Sequence, residues 1–137
     1  MKTQLLQTVI ATLTLAAAGY AQSAKPLQVN VPFNFVAGSR TLPAGQYTFS
    51  QPVNTSAVAI QSAGSPQGAV MLTNRLESPG RQEIGKVVFH RYGDRYFLAE
   101  VWDTDRSTGR QFPKTVPERE LARNSPQVLA TIFVAAH

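Results

Sequence analysis

Cysteine is absent from the 137 residues. Its absence excludes disulfides, thiolate nucleophiles and cysteine-based zinc sites. It also excludes the acylated cysteine of a lipoprotein anchor, since Lys25-Pro26 and their neighbours supply none. Histidine is nearly absent; beyond the first two dozen residues there are only His90 and the terminal His137. Acidic residues are missing from residues 22–74, where Lys25 and Arg40 are the only charges. The phosphate-cradling patterns G-x-x-x-x-G-K-[ST] and G-x-G-x-x-G do not occur, nor does the nucleophile elbow G-x-S-x-G. A membrane-spanning helix needs about 20 apolar residues, and Val128 to Ala136 offers roughly half of that. No transmembrane segment is therefore expected after the N-terminal one.

What is present begins with that N-terminal segment. Met1-Lys2-Thr3 carries one positive charge, Leu5 to Ala18 is mostly apolar and small, and Gly19-Tyr20-Ala21 places small residues at a peptidase site. A short basic start, a short apolar stretch and a small-x-small site make a secretory signal. Thr8, Thr12 and Thr14 dilute the stretch too much for a stable membrane anchor. Residues 1–21 are thus expected to be a signal peptide, cleaved after Ala21 or, as a second choice, after Ser23. Residues 22–137 are expected to form a single β domain, exported to the periplasm or the medium and held by its core alone.

The charge that remains is mixed. Residues 75–123 hold ten basic and eight acidic groups, interspersed. No Lys/Arg-rich run is interleaved with aromatics, so nucleic acid is not an expected partner.

The dominant period along the chain is two. Gln28-Val29-Asn30-Val31, Phe33-Asn34-Phe35-Val36 and Gln46-Tyr47-Thr48-Phe49-Ser50 alternate; Ala57 to Gln61 and Ala69 to Thr73 are short β-type runs. Gly/Pro punctuation separates them, at Gly38, Pro43 and Gly45, Pro52, Gly64 to Gly68, and Ser78-Pro79-Gly80. Short strands at regular turn spacing predict an all-β, antiparallel sandwich or small barrel of about seven or eight strands. In Leu42-Pro43-Ala44-Gly45-Gln46-Tyr47, proline presets the turn and Gly45 is expected to supply the positive φ. Turns of this form are similar to those of prealbumin-like and immunoglobulin-like sandwiches.

Ile84 to Trp102 reads as a hairpin closed by Gly93-Asp94 in a type I′ or II′ turn. Its register would pair Tyr92 with Arg95, His90 with Phe97, Val88 with Ala99 and Lys86 with Val101. Both faces are largely apolar, which predicts central strands with one face in the core and the other partly covered. One helix is expected after Thr115, which with Glu118 has the spacing of a capping box, and Pro117 fits the first turn. Asn124 and Pro126 would stop it. So short a helix needs docking, for which Val116 and Leu121 are the apolar candidates. Val128 to Ala135 reads as a final strand.

Candidate chemistry is sparse. His90 lies mid-strand among apolar neighbours, where a packed histidine is the commoner situation and a lone acid/base or metal ligand the rarer. Any Ser–His–Asp arrangement would have to use it. Glu100, Asp103 and Asp105 are the one acidic cluster. Asp103 to Gly109 falls short of a calcium loop: its glycine comes seventh and the glutamate at position twelve is missing. A polar turn is the ordinary alternative. Glu100 and Asp103 as paired carboxylates for a small hydrolase remain open. Tyr92, Tyr96, Phe97 and Trp102 beside Arg91 and Arg95 form either a recognition patch or, more commonly on a central hairpin, core.

Three stretches together carry a resemblance. They are Val31-Pro32-Phe33-Asn34-Phe35-Val36-Ala37-Gly38, Leu42-Pro43-Ala44-Gly45-Gln46-Tyr47, and Val88-Phe89-His90-Arg91-Tyr92-Gly93-Asp94-Arg95-Tyr96-Phe97-Leu98. With the ending Glu118-Arg119-Glu120-Leu121-Ala122, the chain resembles a group of uncharacterised small exported β-proteins found mainly in soil acidobacteria. The resemblance implies export and a compact β domain, and brings no activity, cofactor or catalytic residue with it.

The expected function is that of an exported non-enzymatic structural or binding protein, with no catalytic, cofactor-binding or metal-binding residue assigned. An envelope partner or an apolar ligand is the expected class of partner. Two alternatives stand beside this: a β domain binding an apolar small molecule or lipid, suggested by the acid-free segment 22–74, and the hydrolase using Glu100 and Asp103. Subunit assembly through an edge strand such as 128–135 is a further possibility.

Overall fold

Strand is the dominant conformation in the computed structural model, which describes residues 26–51, 55–104 and 106–134. The expected signal segment 1–21, Asp105 and His137 lie outside the described residues. In chain order the elements are β1 Leu27–Val31, β2 Phe35–Ala37, β3 Arg40–Leu42, β4 Gly45–Ser50, β5 Ala57–Ser62, β6 Gly68–Leu72, β7 Asn74–Gln82, β8 Lys86–Tyr92, β9 Arg95–Trp102, β10 Arg106–Gln111, α1 Val116–Asn124 and β11 Val128–Phe133. One sheet has the order β1-β4-β5-β6, the other β11-β8-β9-β10-β7, and the β2–β3 hairpin joins the second through a parallel pairing of β2 with β9. The protein is all-β and sandwich-like with one short helix, and no closed barrel forms among the described residues.

Among the described residues eleven strand segments replace the seven or eight expected. β2 falls on the expected run at 33–36, whereas β3, three residues long, is too short for a period to register. Two further additions run through stretches that look like turns. β7 continues across Ser78-Pro79-Gly80, which a sheet edge tolerates because a proline there need not donate to a neighbour. β10 occupies Arg106 to Gln111, so the polar turn after β9 is confined to a few residues.

The core lies between the two sheets. Val29, Val31, Phe35, Tyr47, Phe49, Val58 and Ile60 from the acid-free segment meet Val87, Phe89, Leu98 and Val101. The apolar side chains that suggested an apolar ligand are thus largely spent on the core. Alternation explains this: in β4 the order of exposure puts Tyr47 and Phe49 inward and Gln46 outward. The turn before β4 is stitched locally, with the Tyr47 hydroxyl donating to the Pro43 carbonyl and the Ala44 N–H donating to Asn34 Oδ1 at 2.9 Å. Gly45 is the first residue of β4; the glycines at positive φ are Gly38 and Gly93, at 64° and 63°. The expectation for Gly45 is corrected accordingly.

The β8–β9 hairpin turns at Gly93-Asp94, and its pairing follows the expected register from Tyr92↔Arg95 through His90↔Phe97. A bulge then intervenes between Val88 and Phe89, so Val88 faces Glu100 and Lys86 faces Trp102. The expected partners Ala99 and Val101 are displaced by that one inserted residue. The two strands are central in their sheet and apolar on both faces, as predicted. Gly109 stands opposite Trp102, and a Cβ there would come within 2.6 Å of the indole. Glycine at this position lets the ring lie flat across the neighbouring strand.

Candidate functional site

On β8, His90 and Tyr92 are two residues apart and share the face that α1 covers. Thr115 caps the helix, its hydroxyl accepting from the Glu118 N–H at 3.4 Å, and Pro117 lies in the first turn. The other half of a capping box does not form. The Glu118 side chain turns away from the cap and drops onto the sheet, where the residue is only 2% exposed. There Glu118 Oε2 accepts from His90 Nδ1 at 2.8 Å and from the Tyr92 hydroxyl at 2.9 Å. A carboxylate only accepts, so His90 carries a proton on Nδ1. The Tyr92 hydroxyl also lies 3.0 Å from Gln127 Oε1, in the link between α1 and β11. Val116, an expected docking residue, is exposed, whereas Leu121 is half-buried; Glu118 is the anchor in its place.

The electrostatics follow from burial. Removal from water, then the hydrogen bond and the charge of Glu118, push the Tyr92 phenol from 10.0 up to about 12. A group whose folded value is raised stabilises the fold fully below its unfolded value and loses that contribution as pH rises through the folded one. Stability is therefore expected to fall between pH 10.0 and about pH 12. Tyr92→Phe should flatten much of that fall, leaving the part due to Tyr47, also raised by burial. Urea midpoints across this pH range check it; an unchanged slope in Tyr92→Phe refutes the assignment.

A histidine oriented by a carboxylate is the raw material of general-base catalysis. Here the carboxylate is shared with Tyr92 and serves to fasten α1 to the sheet. The acids weighed from sequence are placed elsewhere. Glu100, half-buried on β9, accepts from the Trp102 indole N–H at 2.8 Å, and Asp103 follows the end of that strand. Among the described residues no three His, Asp or Glu side chains converge as a metal site would require. Of the hairpin aromatics, Tyr92, Phe97 and Trp102 are buried core. Tyr96 is half-buried, stacked on Phe33 with centroids 3.7 Å apart, and the Arg91 guanidinium lies over it at 5.8 Å.

A different kind of site emerges at the sheet edges. An edge strand exposes unpaired N–H and C=O groups, and proteins ordinarily blunt it with charge or proline. β7 is blunted in this way: it carries Pro79 and an exposed Arg75–Glu77 ion pair at 3.2 Å. β1 is bracketed by Pro26 and Pro32. Strands β6 and β11 carry no charge and no proline, yet among the described residues each is hydrogen-bonded to one neighbour only. Apart from Thr131, their large exposed side chains are apolar: Val70 and Leu72 on β6, Val128, Leu129 and Phe133 on β11, all more than half exposed. The sequence showed the apolar run at 128–135, but only the sheet order reveals which edges stay open.

No protein-family model, curated protein or solved structure matches this chain.

Proposed function

We propose that this chain is an exported, non-enzymatic binding or structural domain that works by offering open sheet edges to other polypeptides. The observation that carries the proposal is the contrast among the sheet edges: β7 carries charge and Pro79, β3 carries Arg40, and β1 is flanked by prolines and exposes Gln28 and Asn30, while β6 and β11 are uncharged and expose apolar side chains. Strand addition draws its affinity from main-chain hydrogen bonds and its selectivity from alternate side chains, and an uncharged edge opposes neither. A non-enzymatic role is supported by the side chains best suited to acid–base work being engaged structurally, Glu118 in docking the helix and Glu100 with the Trp102 indole.

Expression in an exporting bacterium tests both parts. Intact mass should show a mature chain beginning at Gln22, and a chain retaining Met1 would overturn export. A photo-crosslinking residue at Val70 or Leu129 should yield discrete protein adducts in those cells. Labelling at both positions no stronger than at exposed Glu77 on the protected edge would overturn the edge reading.

A further inference from the structure

We infer that β11 is a self-pairing edge, joining two copies of this chain antiparallel about a twofold axis through Thr131. The inference rests on the edge reading above and names its partner.

Backbone direction comes first. β11 pairs with β8 in a single unbroken register from Val128↔Arg91 to Phe133↔Lys86. One step further, the Val134 N–H donates to the Gly85 carbonyl at 2.8 Å. Main-chain groups alternate sides along an antiparallel strand. The even-numbered residues therefore aim at β8, and the N–H and C=O groups of Leu129, Thr131 and Phe133 aim at the free edge. The same three residues have exposed side chains, while Ala130, Ile132 and Val134 pack on the core.

Side-chain complementarity then selects the register. Centring the twofold on Thr131 sets Thr131 against its copy and Leu129 against Phe133 of the second chain, twice. All three outward residues are then in hydrogen-bonded pairs, with six main-chain bonds across the axis. Threonine–threonine and aliphatic–aromatic cross-strand pairs are favourable ones. Any shift by one residue would put inward-facing side chains against outward-facing ones. Charge agrees, because β11 carries none and a copy meets no like charge on it.

The other open edge fits a copy of itself less well. On β6, the Ser62 N–H to Gln67 carbonyl bond makes Gly68, Val70 and Leu72 the outward residues. Self-pairing about Val70 would oppose Leu72 to a glycine, leaving an apolar side chain without a partner. A β6-to-β11 contact between copies would be heterologous and would grow without closing, whereas the Thr131 twofold closes at two. One strand pair lies at the small end of specific interfaces, so the dimer should dissociate on dilution.

Single cysteines test the register, since the chain has none of its own. Residues in a hydrogen-bonded pair have Cα atoms about 5.5 Å apart, within disulfide reach. Thr131→Cys should therefore oxidise to a covalent dimer by itself. Leu129→Cys and Phe133→Cys should each resist, being about 13 Å from their own copies, yet cross-link when mixed. Sedimentation of the exported chain should show mass doubling with concentration. Thr131→Lys should weaken the association at least about tenfold, because it sets like charges directly opposite. Its side chain is exposed, so an unchanged melting temperature of the dilute protein would confirm that the monomer is intact.

A single monomer mass at all concentrations, or oxidation of Thr131→Cys no faster than of Leu129→Cys, would overturn the inference. So would larger species cross-linked between positions 70 and 131. If self-association fails while photo-crosslinks from Leu129 reach another protein, the edge reading stands and only the partner is wrong. If neither occurs at β6 or β11, both are wrong.

Discussion

Glu118→Ala is expected to destabilise the protein by about 3–5 kcal/mol, because it removes the shared acceptor of two hydrogen bonds, each worth about 1.5–3 kcal/mol to a carboxylate. The carboxylate is nearly inaccessible and holds two groups from β8 at 2.8 and 2.9 Å. Without it, the His90 Nδ1–H loses its acceptor under the helix and the Tyr92 hydroxyl is left with Gln127 Oε1 alone, and an unsatisfied buried donor costs about 1–3 kcal/mol. The nine-residue helix α1 has little stability of its own and depends on this docking. The loss should appear as a lower urea midpoint together with early amide exchange over residues 116–124. Glu118→Gln keeps the shape and one acceptor and should cost about half as much. Glu120→Ala, on an exposed position of the same helix, should stay within about 0.5 kcal/mol of the parent. A Glu118→Ala effect as small as that would mean that the buried carboxylate does not anchor the helix.

Phe89→Ala should cost about 3–5 kcal/mol as well, through an unrelated mechanism. Phe89 is 0% exposed and belongs to the core between the two sheets. Its ring makes edge-to-face contacts with Phe33 at 5.0 Å and Phe35 at 5.3 Å between centroids. Truncation removes the transfer free energy of a benzyl group and leaves a cavity that strands on both sides prevent from collapsing. Equilibrium unfolding measures the loss. Because Phe89 faces the core and β11 meets β8 at its edge, Phe89→Leu, retaining most of the volume, should keep any self-association intact. A Phe89→Ala variant within about 1 kcal/mol of the parent would indicate a core able to repack around it.

The strand positions were legible wherever the period-two pattern coincided with a buried face. β1, β4, β5, β8 and β9 fall where Val29, Tyr47, Val58, Phe89 and Leu98 alternate with polar or outer-face residues. The hairpin turn was legible because Gly93 takes the positive φ that a two-residue loop demands. β7 and β10 were not, because proline, glycine and charge there look like loop chemistry and become strand only beside each other at an edge. The candidate sites divide in the same way. His90 was visible as a lone histidine, but its partner Glu118 looked like half of a capping box. The competing attraction, a histidine and a tyrosine 26 to 28 residues earlier, is set by the docking of the helix and has no local signature.

By itself the sequence determined the all-β character, the hairpin, the helix and its cap, and the lack of thiol chemistry, because each depends on residue type and near-neighbour spacing. The tertiary structure alone decided which strands are central and which lie at an open edge, where the bulge shifts the register, and that Glu118 faces the sheet. Those outcomes depend on contacts between residues far apart in the chain. An edge strand and a central strand can share one local pattern and differ only in whether a neighbour completes their hydrogen bonds. For β11 that neighbour is present on one side, and the self-pairing proposed above would supply it on the other.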